Sequence, residues 1–180
     1  MPAELWDAYD CQGNPLGFDL IRGEAPPEGA CHLVVEIYTL TGEGEILITQ
    51  RHPSKHFGLK WEVTGGSVLK GETPLEGAVR ELREETGIRV EPESLQPLYV
   101  YSPMAEGLEM PAILYGYLLM AGRERPEITL QEEETVACRF LPYEEFRDFV
   151  RTDAFVPTLR DRFLRFEEQI SEQIRQVLSI

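Results

Sequence analysis

The sequence predicts an α/β protein: an α/β/α sandwich around a mixed β-sheet, with an N-terminal β-hairpin and a long C-terminal helix. Three observations point there. Short β-prone runs alternate with helical stretches, the order expected when helices cover a sheet. The stretch at about 74–86 has apolar residues on one side and carboxylates on another. The last stretch, about 157–178, places Leu159, Phe163, Phe166, Ile170, Ile174 and Val177 at intervals of three or four, which is a buried helical face.

Residues 5–10 and 16–22 flank the turn residues Gln12-Gly13-Asn14-Pro15 and read as a strand pair. Glu24 to Gly29 is a Pro-rich connector. His32 to Leu40 is strongly β-prone, and the turn Gly42 to Gly44 folds it back on Glu45 to Gln50 as a hairpin. Trp61 to Thr64 is a short strand leading into Gly65-Gly66. The next helix has a plausible N-cap in Thr73, Pro74 at its first position and Glu76 completing a capping box; Gly87 stops it. Ile88-Arg89-Val90 reads as extended. Leu95 to Ser102, Ala112 to Leu119 and Val136 to Leu141 read as strands, and Pro142 to Val150 as an amphipathic helix. The Pro103 to Pro111 loop, with Met104, Glu106 and Met110, is either a substrate lid or a plain connector.

A length of 180 residues fits one domain: an N-terminal β extension over 1–28, a core over 30–145 and the helix at 157–178. With 42% hydrophobic and 27% charged residues the composition is that of a soluble globular chain. No run of 18 apolar residues is present, so no membrane span is expected. The opening Met1-Pro2-Ala3-Glu4-Leu5-Trp6-Asp7 lacks the regions of a secretory signal, and Cys11, Cys31 and Cys138 match no zinc or disulfide pattern, which points to the cytoplasm. A net charge of −15 repels nucleic acid polymers and anionic membranes. A local exception is Arg51-His52-Pro53-Ser54-Lys55-His56 with Lys60, either an ordinary basic loop or a phosphate contact; Arg51 and Lys55 are the candidates for the latter.

The helix at 74–86 carries the chemistry. Glu81, Glu84 and Glu85 stand at i, i+3 and i+4 and so share a helical face, crowding three carboxylates together. Leu75, Ala78, Val79 and Leu82 form the apolar stripe, roughly 115° away. Crowded like charges destabilise a fold unless a cation sits among them, and oxygen donors on a rigid element suit Mg²⁺ or Mn²⁺, ions that bring phosphates with them.

The segment 66–88 resembles the Nudix box, G-x5-E-x7-R-E-U-x-E-E-x-G-U, where U is a bulky aliphatic residue. Gly66, Glu72, Arg80, Glu81, Leu82, Glu84, Glu85, Gly87 and Ile88 fill every constrained position. The resemblance implies the same sandwich architecture and a pyrophosphohydrolase acting on a nucleoside diphosphate linked to another moiety, X, by attack of metal-activated water. It implies Glu84 and Glu85 as metal ligands, Glu81 as ligand or base, and a backbone carbonyl of Gly65 or Gly66 completing the shell. Arg80, whose side chain the helix is expected to turn away from Glu81, has an implied structural role in pairing with a carboxylate, and Glu72 supports that network. A further acidic ligand commonly comes from a later loop; of Glu132-Glu133-Glu134, Glu134 is the candidate.

Two other readings stay open. Trp6-Asp7-Ala8-Tyr9-Asp10 and His32-Leu33-Val34-Val35 resemble the Nudix branch related to isopentenyl-diphosphate isomerases, whose cysteine and histidine before the box are replaced here by Gly65 and Ser67. In those isomerases a histidine at the position of His32 binds metal; a lone histidine at a strand start is otherwise structural. A binding domain without catalysis is the third reading. The base and X are left open: Tyr99, Tyr101, Tyr115 and Tyr117 are stacking candidates or ordinary strand residues. The hairpin and the last helix offer surfaces for a homodimer.

Overall fold

The computed structural model describes residues 3–108 and 110–179, so Met1, Pro2 and Glu109, on which parts of the leader and loop readings fall, lie outside the described residues together with Ile180. Strands β1 (Leu5–Tyr9) and β2 (Pro15–Ile21) form the N-terminal antiparallel hairpin, in register from Leu5↔Ile21 to Tyr9↔Pro15 with a bulge after Asp7. Seven strands make the central mixed sheet: β3 (His32–Leu40), β4 (Glu45–Arg51), β5 (Trp61–Glu62), β6 (Thr64–Ser67), β7 (Leu95–Tyr101), β8 (Ala112–Met120) and β9 (Thr135–Pro142). Three helices accompany them: α1 (Pro74–Thr86), α2 (Tyr143–Val150) and α3 (Pro157–Leu178).

At the centre β3 runs parallel to β8 from His32↔Ala112 to Leu40↔Met120. Its other edge is shared, which revises the expected hairpin of 32–40 with 45–50. β3 meets β4 only at Leu40↔Ile46, beside the turn, while β6 pairs along Val34↔Ser67 to Ile37↔Thr64. β4 diverges to pair with β9 and β5. The single strand expected up to Thr64 is thus two, and Gly65 and Gly66 lie within a ladder. Ile88–Val90 belongs to no strand; Ile88 instead packs beneath α1, and two 3₁₀ turns, Pro92–Ser94 and Pro103–Glu106, occupy stretches read as connections.

Period-2 alternation on the central strands feeds a core on each face. Leu33, Val35 and Ile37 pack with Ala78 and Leu82 of α1. Tyr38 and Leu40 face the opposite way, against Phe146 of α2 and Phe163, Ile170 and Ile174 of α3. Phe166 and Val177 of the expected stripe lie at its partly buried margin. Phe163 is fully buried and lies within 6.4 Å of the Tyr38 ring and 5.2 Å of the Phe146 ring, centre to centre. Phe163→Ala is expected to remove about 3–5 kcal/mol of stability, read as a lower urea midpoint at an unchanged slope.

Candidate active site on helix α1

α1 is anchored at both ends as its sequence dictates. The Thr73 hydroxyl accepts from the Glu76 N–H (3.3 Å) and the Glu76 carboxylate accepts from the Thr73 N–H (2.7 Å), closing the capping box. At the far end Gly87 takes a left-handed φ of 75° and its N–H bonds the Arg83 carbonyl. Fixed in this way, the helix lays its polar face along β6. The fit is tight: a Cβ on Gly66 would come within 2.4 Å of a Glu81 carboxylate oxygen, and one on Gly65 within 2.2 Å of the Val35 carbonyl oxygen.

Arg80 organises the surroundings. Its Nε and one Nη2 proton reach the two Glu72 oxygens (2.8 and 3.0 Å), and Nη2 also donates to the Ser67 carbonyl (2.9 Å). Nη1 donates to Glu81 (2.8 Å) and Glu84 (3.2 Å). Every N–H of the guanidinium is used. The expected divergence of Arg80 and Glu81 is therefore corrected: the long arginine curls over its neighbour and holds it. Glu72 also accepts from the Leu69 N–H (2.9 Å), which pins the loop before α1. Burial opposes ionisation of Glu72, but the Arg80 hydrogen bonds and the Leu69 N–H outweigh it and hold its pKa below the ordinary value.

Glu81 and Glu85 are shifted the other way. Burial is the largest cause for both; it pushes Glu81 upward despite Arg80, and pushes Glu85 well upward with help from the charges of Glu62 and Glu81. Glu85 is 3% exposed, and its Oε2 has no hydrogen-bond partner. Glu84, by contrast, has a side chain 40% exposed. The three carboxylates do not crowd into one cage, because Arg80 draws Glu81 and Glu84 to itself; among the described residues no closed group of three metal-binding side chains is present. The donor set nonetheless suits a hard divalent cation: clustered carboxylate oxygens, one of them buried and orphaned, resisting ionisation in the absence of positive charge.

A cleft of about 700 Å³ opens where β3 and β4 part. Gly65, Gly66, Arg80, Glu81, Glu84 and Glu85 border it, as do Arg51, Lys55 and Glu134. Glu72 lies behind Arg80. Arg51 donates to Glu62 (2.6 Å) and to the His56 carbonyl (2.8 Å). Lys55 pairs with Glu134 and stands 4.0 Å from Glu85. The loop carrying these bases turns through left-handed φ values at Phe57 (58°) and Leu59 (65°), conformations that tertiary contacts must enforce. Glu132 and Glu133 are exposed; of that run Glu134 alone borders the cleft. Lys60 leaves the group, bonding the Asp153 carbonyl.

Several cleft residues escape a motif-based reading. Glu62 is buried against Arg51, and burial raises its pKa more than the arginine lowers it. Glu36 of β3 pairs with Arg162 of α3 and accepts from the Tyr99 hydroxyl (2.5 Å); Arg162 Nε remains unpartnered. A lone charge inside an apolar strand, as at Glu36 and Glu62, was the available signal. The four tyrosines lie off the cleft: Tyr99 and Tyr117 are core, Tyr101 and Tyr115 pack at its margins.

The sequence model of the NUDIX domain matches residues 31–161. An uncharacterized Nudix hydrolase of Listeria monocytogenes is 30% identical over 86% of this chain and 89% of its own length. An RNA pyrophosphohydrolase of Erythrobacter litoralis is 35% identical over 54% of each chain. Among solved structures, a Deinococcus radiodurans protein superposes with a TM-score of 0.74 and 24% identity, covering 91% of this chain and 99% of its own. It shares the fold.

The Glu72–Arg80 pair makes a pH prediction. A depressed carboxyl pKa contributes stability above the ordinary glutamate value of 4.5 and loses it as pH falls through the lowered value. The stability difference between the native chain and Glu72→Gln, followed by urea unfolding, is expected to be largest near neutrality and to shrink below pH 4.5.

Proposed function

Because the chain belongs to the Nudix hydrolase family, we propose that it cleaves the pyrophosphate bond of a nucleoside diphosphate linked to X, with Mg²⁺ or Mn²⁺. The observation that carries this reading is the buried Glu85 carboxylate, one oxygen without a partner, sharing a cleft wall with Glu81 and two bases. Glu81, Glu84 and Glu85, a carbonyl of Gly65 or Gly66, and Glu134 form the donor set for the ion. When bound, the ion supplies charge neutralisation on the phosphoryl oxygens and acidifies the attacking water.

The chain's own groups do the rest. Arg51 and Lys55 hold phosphate oxygens, which exchanges their present carboxylate partners for the substrate's charge. Arg80 positions Glu81 and Glu84, and Glu72 positions Arg80. Glu81 is ligand or base: with Oε1 tied to Arg80, Oε2 is the atom free to accept the proton, and burial makes that carboxyl more basic than an exposed one. Water adds to one phosphorus, the bond from that phosphorus to the bridging oxygen breaks, and the bridging oxygen leaves with the other phosphate. Residues 1–180 act as one domain in this reading, and the cell compartment is the cytoplasm.

A panel of nucleoside diphosphate derivatives, assayed for released nucleoside monophosphate with and without Mg²⁺ or Mn²⁺, tests the proposal. Turnover is expected only with the ion. Glu84→Gln, at an exposed position, is expected to lower kcat roughly a hundredfold or more while leaving the circular-dichroism spectrum and unfolding midpoint in place. Undiminished turnover in that variant overturns the assignment.

A further inference from the structure

The N-terminal hairpin and its flanks contribute to the lining of the cleft: Glu4, Trp6 and Arg22 all border it, and all precede residue 31, where the family match begins. They form a built arrangement. Oε1 of Glu4 accepts the Trp6 indole N–H (2.9 Å) and Oε2 accepts Arg22 Nη1 (2.8 Å), so one carboxylate orients both side chains. The Trp6 ring lies on the His32 imidazole, with centroids 4.1 Å apart and planes 15° from parallel. Burial holds the His32 pKa below its ordinary value, so the imidazole is neutral at pH 7 and the pair is an uncharged aromatic wall.

We propose that the Trp6–His32 wall is the nucleobase subsite of this cleft, with Arg22 at its rim meeting the phosphate attached to that nucleoside. The inference deepens the hydrolase reading and rests on it: it assigns a place in the cleft to the base that the proposed substrate carries, and Val156 and Leu159 of the same lining are left to X. Arg22 borders the same cleft as Glu81 and Glu134, with its guanidinium paired to Glu4. The cleft's other aromatic pair, His56–Phe57, is a poorer platform. Its rings are tilted by 50°, and Phe57 packs into the core on the α3 side of the sheet. A nearly parallel stacked pair can take a base on its outer face, because every base has a π-face to offer.

The test is calorimetric binding to the full chain, with Mg²⁺, of the non-hydrolysable α,β-methylene analogues of ADP and CDP, and of methylenediphosphonate as the baseless control. Trp6→Leu is expected to weaken the tighter nucleotide analogue roughly ten- to a hundredfold and to leave methylenediphosphonate unchanged, while Trp6→Tyr, which keeps a ring, retains nucleotide binding. Equal nucleotide affinity in Trp6→Leu and the native chain overturns the subsite. Should Trp6→Leu fail to fold, tryptophan emission of the native chain decides: quenching by the nucleotide analogue beyond that by methylenediphosphonate supports the proposal, and identical emission overturns it. Failure of all three compounds to bind removes the hydrolase site and this subsite with it. Binding that ignores the Trp6 change removes only the subsite.

Discussion

The guanidinium of Arg80 ties three separate parts of the chain to one point. It joins the loop at Glu72, the end of β6 at Ser67 and the helix at Glu81 and Glu84. A charge largely removed from water is tolerable only when its donors are matched, and here all five are. The registry of α1 against β6 follows from that match. Lys at this position would keep the charge but lose the planar fork that holds Glu72 by both oxygens. Burial of Glu85 and the close approach of Glu81 to Gly66 both depend on the helix standing where Arg80 holds it.

The second determinant is the parting of β3 from β4. Two strands joined by a tight turn would ordinarily stay paired along their length. Here β6 takes the edge of β3 from Val34 to Ile37, and β9 takes β4. The gap becomes a cleft lined by backbone and side chains from both halves. Its charges are largely paired internally: Arg51 with Glu62, Lys55 with Glu134, Arg162 with Glu36. In a chain of net charge −15, such pairing leaves the cleft without an excess of positive charge.

Local sequence made some of this legible. The capping box at Thr73–Glu76, the stop at Gly87 and the shared face of the three glutamates are short-range features, readable because each depends on neighbours a few positions away, whereas the parts of Glu72 and Arg80 came from the resemblance to the Nudix box. The N-terminal hairpin declared itself by its turn residues, the central strands by β-propensity and α3 by period. Long-range choices did not. Nothing within 32–50 says that β6 will displace β4, since both alternatives bury the same apolar residues. The Glu36–Arg162 pair joins residues 126 positions apart, as their numbers show, and each alone resembles an ordinary polar residue. For the tyrosines of β7 and β8, open between stacking and ordinary strand packing, strand position did not reveal which face opens on the cleft, and none of the four is in its lining.

The last helix serves two masters. Phe163, Ile170 and Ile174 seal one core, while Leu159 and Arg162 on the same rod border the cleft. A substitution along that wall acts on the cleft and on the core together. The hairpin wall rests on its own small cluster of Ala8, Leu20 and Ala30. A changed side chain there leaves the packing of the last helix on the main core as it stands.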